Sequence, residues 1–352
     1  MTLEALKEQI RPADRESMRR AQEHWMTVGK PLFSLGKLED AVIRMAGIKG
    51  THEYELTKKG LVILCADNGV VEEGVTQTGQ EVTAIVADNF TKNAASTSIM
   101  AQVAGVDLFP VDIGMVSDVP SVTKPEKKIR YGTRNFAKEP AMTREEAWRA
   151  VQVGIGMVQE LKEKGYEILA TGEMGIGNTT TSSAVVSVLL DKPVEQVTGR
   201  GAGLTSEGLE RKIQVIKDAI ALHRPDPEDA LDVLAKVGGL DIAGMAGVFL
   251  GGALYHVPVV IDGFISEAAA LCAVRMVPAV AEYLIPSHVS KEPAGQMLLD
   301  ALGLSPFLTC DMCLGEGSGA VAVMPLLEMG LQVYRQMSTF EEINVEQYKI
   351  LK

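Results

Sequence analysis

Four short apolar runs, each closing on a polar or apolar-to-loop boundary and each followed by helix-like sequence, restrict this chain more than any other feature. They are Leu61–Asp67, Val106–Ile113, Tyr166–Thr171 and Val257–Asp262. Short β-branched runs alternating with helical stretches argue for an α/β fold built on a parallel sheet. One helix is marked at both ends. Thr143 and Glu146 have capping-box spacing, an apolar face runs through Ala147, Val151, Ile155, Val158 and Leu161, and Gly165 stands at the stop. Parallel sheets bind ligands beyond the carboxyl ends of their strands. Three polar or glycine-rich clusters fall there: Asp67-Asn68-Gly69, Gly172 to Thr181, and Asp262-Gly263.

The two ends of the chain read differently. Residues 1–47 are amphipathic and helical with no strand signal, and residues 317–337 are helical with Ala320, Val323, Leu327, Leu331 and Tyr334 apolar. The expected organisation is a small helical domain from residues 1–47 and 317–352, and a large α/β domain over 48–316 that carries the site. The stretch Ile242–Ile261 has no charged residue and the length of a membrane span, ~20 residues. Gly244, Gly247, Gly251, Gly252, His256 and Pro258 interrupt it, so it reads as a buried helix to about Leu254 and then a strand from His256 to Asp262.

Composition narrows the function. Hydrophobic residues make up 46% and charged residues 23%, enough apolar surface for a packed core. The net charge of -12 repels a phosphate backbone and argues against nucleic-acid binding. Four Cys in 352 residues are too few for a disulfide scaffold, which suggests a reducing compartment. The first residues are charged throughout and lack the apolar stretch of a signal peptide, so a cytoplasmic location is expected.

Three glycine-rich segments stand out as places for chemistry. Thr171-Gly-Glu-Met-Gly-Ile-Gly-Asn-Thr-Thr-Thr181 follows a strand and opens a helix. Its glycines let backbone N–H groups approach a ligand, and Asn178 or Thr179 suits the helix cap, so an anion fits at the helix N-terminus. The plain alternative is a tight turn, and the loop lacks the Lys-Ser/Thr ending of a Walker A motif. Gly199-Arg-Gly-Ala-Gly203 is followed by Lys212; either Arg200 or Lys212 is a candidate cation for the same anion, although alone the pair reads as a loop and a basic helix face. In Leu314-Gly-Glu-Gly-Ser-Gly-Ala320, Glu316 is a candidate general base if its pocket is dry, against the plainer reading of a solvated Glu at a helix entry. Glu173 reads as a second loop carboxylate facing the same pocket. The lone Cys310-Asp-Met-Cys313 lacks a second ligand pair for zinc, and both thiols read as buried apolar groups. No metal site or Gly-x-Ser-x-Gly elbow is expected.

Together these segments resemble the nicotinate-nucleotide:dimethylbenzimidazole phosphoribosyltransferases over nearly the whole chain. The resemblance rests on Ser34-Leu-Gly-Lys-Leu-Glu39, Cys65-Ala-Asp-Asn-Gly-Val70 with Glu73-Gly-Val75, Gly172 to Thr180, Lys236-Val-Gly-Gly-Leu-Asp241, Asp262-Gly-Phe264, Ile285-Pro-Ser-His288 and Leu314 to Ala320, in that order. It implies a parallel Rossmann-like sheet flanked by helices, with a small helical domain from both chain ends and a dimer whose sites lie near the subunit interface. It also implies transfer of phosphoribose from nicotinate mononucleotide to an aromatic base with inversion, for cobamide synthesis, with no cofactor. By the same resemblance Glu316 matches the general base. Glu173, Met174, Leu314, Asp262, Gly263 and Ser290 match substrate-binding positions. Gly175, Ile176, Gly177, Asn178, Thr179, Thr180, Gly201 and Lys212 match the phosphate site.

Three positions depart from the benzimidazole-using pattern near the implied acceptor pocket. Asn68 replaces a usual His, Thr78 a Ser, and Val86 a Gln; Leu32 and Phe33 stand where Pro-Gly is usual. Loss of polar partners suits an acceptor with fewer heteroatoms. Two alternatives follow from the resemblance: a phenol- or p-cresol-using catalytic subunit of a heterodimer, and a non-catalytic partner subunit. Intact Glu173, Glu316 and Lys212 argue against the last.

Overall fold

The computed structural model describes residues 1–350. Five parallel strands, β1 (Lys59–Ala66), β2 (Val106–Gly114), β3 (Ile168–Met174), β4 (Val259–Val260) and β5 (Leu284–Ile285), form one sheet in the order β2-β1-β3-β4-β5. Every residue of β1 is buried, as a central strand covered on both faces requires. The chain leaves β1 for β2 on one side and then returns to place β3 on the other. Ligands bind beyond the carboxyl ends of strands at such a switch point. The residues there are Asp67 after β1, Gly175 after β3 and Asp262 after β4.

Among the described residues, fourteen α-helices surround the sheet. Before β1 come α1 (Leu3–Gln9), α2 (Arg15–Thr27) and α3 (Lys37–Lys49). Between β1 and β3 come α4 (Glu81–Thr91), α5 (Ser96–Ala104) and α6 (Arg144–Glu163). From β3 to β4 run α7 (Asn178–Leu189), α8 (Val194–Val197), α9 (Ser206–His223), α10 (Ala230–Val237) and α11 (Leu240–Tyr255). The last three are α12 (Phe264–Met276), α13 (Gly295–Ala301) and α14 (Ser318–Gln336). The capping box of Thr143 and Glu146 opens α6, and Gly165 follows its end with φ +84°.

The membrane-length stretch is the buried helix α11, and no helix among the described residues is long and apolar enough to cross a membrane. Its glycines let it lie directly on α6: a Cβ on Gly247 would meet Val151 O at 2.0 Å, and one on Gly154 would meet Gly244 O at 2.0 Å. The N-terminal helices reach the rest of the chain through α3, which packs on α14, and through Arg15, which pairs with Glu282 at 2.6 Å. Lys30 and Glu39 form a buried ion pair at 2.6 Å within this end of the molecule.

The structure corrects several sequence expectations. β3 runs on to Met174, because pairing with β1 continues through Ile63↔Gly172, Leu64↔Glu173 and Cys65↔Met174. Glu173 is therefore a strand residue and not a loop carboxylate. The fourth run pairs only at Val259 and Val260, after Pro258, which has no N–H to offer the ladder. The two-residue β5 is too short to leave a strand pattern in the sequence. The N-cap of α7 is Gly177 at φ +94°, not Asn178 or Thr179, because Asn178 turns its side chain onto Glu173. Cys310 and Cys313 are exposed rather than buried, since they lie on the irregular surface segment before α14; the buried cysteines are Cys65 and Cys272.

Candidate active site

A cavity of about 310 Å³ opens beyond the carboxyl ends of β3 and β4, within the usual range for a small-molecule site. Its wall brings together Val86, Glu173, Met174, Gly175, Ile176, Asn178, Thr179, Gly201, Asp262, Gly263, Ser290, Leu314 and Glu316. These come from separate stretches of sequence. Asn68, Thr78, Gly177, Thr180 and Lys212 do not line it. Asn68 is fully buried behind the glycine loop, donating from Nδ2 to Ile176 O at 3.4 Å, and Thr78 is exposed. A larger cleft of about 720 Å³ lies beside β2 and holds none of the expected site residues.

The turn into α14 is the most strained segment of the site. Gly315, Glu316 and Gly317 are successive residues at φ +82°, +62° and +85°. Glycine adopts this region freely, whereas Glu316 does so at a cost of about 1–3 kcal/mol. Surrounding carboxylates hold the turn. Asp262 Oδ1 accepts from the amides of Gly319 at 2.8 Å and Ala320 at 3.1 Å, and its Oδ2 accepts from Gly317 at 3.2 Å. An anion at a helix N-terminus is favoured by the helix dipole as well as by these bonds. Asp262 thus anchors the entry to α14. Glu173 Oε1 accepts the amide of Glu316 at 3.3 Å. Gly172 completes the fit, since a Cβ there would lie 2.6 Å from Glu316 O.

This arrangement leaves the Glu316 side chain at the cavity, with Oε2 buried and without a hydrogen-bond partner. Burial raises its carboxyl above the ordinary range; Thr97 pulls it partly back, and Asp262 adds to the rise. Such a carboxyl is poised to accept a proton. Beneath the cavity, burial pushes Glu173 up to about 8, with Asp241 and Asp262 adding like charge against the opposing bonds from Glu316 and Asn178. Burial likewise takes Asp241 to about 7 and Asp67 to about 6. Asn178 donates to Glu173, and its amide also draws the Asp241 carboxyl down against the rise from burial.

The other end of the cavity is made by the glycine loop and Lys212. The amides of Ile176, Asn178 and Thr180 are bonded to Thr83 Oγ1, Gly175 O and Gly177 O. Among the described residues, the amides of Gly177 and Thr179 have no such partner. Gly201, at φ +52°, packs on Thr179, whose Oγ1 accepts from Lys212 Nζ at 2.9 Å. Lys212 is fully buried on α9, and desolvation lowers its ammonium to about 8. It therefore reaches the cavity wall through Thr179 rather than directly. Arg200 instead bonds Leu204 O and Ser206.

Val82 and Glu292, which line the cavity, and Thr97, which stands behind it, carried no sequence signal; His288 at the wall and Asp241 behind it lay in the stretches Ile285–His288 and Lys236–Asp241 with no role assigned. Among the described residues, no group of three or more His, Cys, Asp or Glu is arranged to hold a metal ion.

The cavity sets a glycine-rich helix entry at one end and a buried carboxylate at the other, and the chain belongs to the phosphoribosyltransferases: a family model described as "Phosphoribosyltransferase" matches residues 10–345. Among these, the chain belongs to the nicotinate-nucleotide–dimethylbenzimidazole phosphoribosyltransferase family. Proteins of that name from Acetivibrio thermocellus and Ruminiclostridium cellulolyticum are 49% identical over 335 residues and 46% identical over 352 residues. The matches cover 95% of both chains in the first case and 100% of both in the second. The crystal structure of the enzyme of that name from Thermus thermophilus superposes with a TM-score of 0.88 at 39% identity, over 95% of this chain and 100% of that one.

Proposed function

We propose that this protein transfers phosphoribose from nicotinate mononucleotide to 5,6-dimethylbenzimidazole or a close aromatic base, with Glu316 as general base. The observation that carries the reading is the Glu316 carboxyl, held at the cavity by a strained turn with one oxygen unpartnered. In the reaction one ring nitrogen of the acceptor attacks the anomeric carbon of the sugar. The bond to nicotinate breaks, and its electron pair neutralises the pyridinium nitrogen. Glu316 takes the proton from the acceptor's other ring nitrogen, so charge balances without a metal. Attack from the face opposite nicotinate inverts the anomeric carbon.

Positioning supplies the rest. The amides of Gly177 and Thr179 and the Thr179 hydroxyl backed by Lys212 are the donors for the phosphate. Gly175 to Thr180, Gly201 and Lys212 form that subsite together. Glu173, Met174, Leu314, Gly263 and Ser290 are the walls around ribose and rings, and Asp262 acts through the turn it anchors. Val86 and Val82 give the acceptor end an apolar side. The relatives compared carry the dimethylbenzimidazole name, which favours that acceptor over a phenol and a catalyst over a silent partner subunit. A dimer of this chain in the cytoplasm is part of the same proposal.

Incubation with nicotinate mononucleotide and 5,6-dimethylbenzimidazole tests the reading. Free nicotinate and the α-ribotide form in equal amounts if it is right; nicotinate without ribotide marks a hydrolase instead. Lys212→Met weakens binding of nicotinate mononucleotide and spares nicotinate riboside, which lacks the phosphate.

A further inference from the structure

Glu292 stands at the phosphate end of the cavity, and the transfer reaction gives it no task. It follows Ser290 on the segment between β5 and α13 and lines the cavity wall. Its Oε2 is buried and has no hydrogen-bond partner. That oxygen lies directly over Gly199: a Cβ on Gly199 would meet Oε2 at 1.9 Å and Cδ at 2.9 Å. Gly199 O in turn accepts from Lys212 Nζ at 3.1 Å.

The carboxylate and the buried ammonium are thus neighbours on one glycine without closing an ion pair. Lys212 gives its hydrogen bonds to Gly199 O and Thr179 Oγ1. Burial raises the Glu292 carboxyl, with Lys212 and the Gly201 amide opposing, and Glu292 is the opposing charge that acts on Lys212. A phosphate drawn to Gly201, Thr179 and Lys212 meets this negative charge at close range.

We propose that Glu292 is a counter-charge that competes with phosphate anions for the Lys212 subsite and lowers their affinity there. Its presence weakens every phosphate there by a similar factor. A nucleotide stays bound because its ribose and ring make further contacts, whereas inorganic phosphate has none and is kept out. The subsite thus sets a repulsive element beside an attractive one. The inference rests on the reading of Lys212 as part of the phosphate subsite.

Binding of inorganic phosphate, nicotinate mononucleotide and nicotinate riboside to wild type, Glu292→Gln and Glu292→Asp tests it, with circular dichroism checking the fold of each variant. Glu292→Gln removes the charge and keeps the shape. It should tighten inorganic phosphate and nicotinate mononucleotide by at least about tenfold, because like charges held close at a partly buried site oppose each other strongly, and leave the riboside unchanged. Glu292→Asp, which keeps the charge, should stay near wild type. Unchanged or weaker phosphate binding in Glu292→Gln overturns the proposal. Lys212→Met separates the underlying reading: equal weakening of nucleotide and riboside removes Lys212 from the subsite, whereas selective weakening of the nucleotide with no tightening in Glu292→Gln rejects Glu292 alone.

Discussion

The carboxylate of Glu173 accepts the backbone N–H of Glu316 at 3.3 Å, so one acid at the end of β3 fixes the main chain of another at the entry to α14. The two residues are 143 positions apart in sequence. Gly172, beside Glu173, gives the Glu316 carbonyl room to lie against the strand.

Gly172→Ala tests that packing. The new Cβ would sit 2.6 Å from Glu316 O, closer than real contacts allow, so the turn must shift. Displacement of a reacting group by about 1 Å lowers turnover by roughly 10²-fold. Affinity for nicotinate mononucleotide, measured by calorimetry, should change little, because the phosphate subsite is at the other end of the cavity.

Glu173 also makes stability depend on pH. Its carboxyl titrates near 8 in the fold against 4.5 for the ordinary group. The folded state therefore binds the extra proton between those values, and the stabilisation present below about pH 4.5 is lost as pH rises toward 8. Glu173→Gln should flatten this fall. Chemical denaturation at several pH values from 5 to 8 measures the slope, and an unchanged slope in the variant assigns it to other groups such as Asp241.

Asp262→Ala removes the acceptor of three amides at the head of α14. Loss of a helix cap costs about 2 kcal/mol at the upper end of measured cases. Thermal denaturation should show a melting temperature lower by a few degrees. Turnover should fall as well, because the same turn carries Glu316. A stable variant with normal turnover would place the order of this turn elsewhere.

Val86→Gln tests the acceptor end. An aliphatic side chain cannot bond a ring N–H, and a restored amide contributes about 0.5–1.5 kcal/mol, at most about tenfold. kcat/KM for 5,6-dimethylbenzimidazole should rise within that range while KM for nicotinate mononucleotide holds. No change would make Val86 a neutral wall residue.

Much of this was legible in the sequence, for identifiable reasons. β-branched runs and capping residues carry local signals, so β1, β2, α6 and the buried α11 were readable. Glycine clusters at strand ends pointed to the cavity because only a few residue types allow such close backbone approach. Glu173 was misplaced by one structural level: strand pairing with β1, a tertiary effect, extends β3 past Thr171. The exposure of Cys310 and Cys313 followed from the path of a surface segment that local sequence does not encode. Glu292 and Asp241 gained their meaning only from what lies beside them, Lys212 in one case and Asn178 in the other.

The most direct test of the account is turnover and nucleotide affinity of Glu316→Gln, measured side by side with nicotinate mononucleotide and 5,6-dimethylbenzimidazole. Gln keeps the size of the side chain and loses the base. The account predicts ribotide formation lower by ~10²–10⁴-fold, with the dissociation constant for nicotinate mononucleotide close to wild type. Ribotide formation near the wild-type rate in that variant would contradict it.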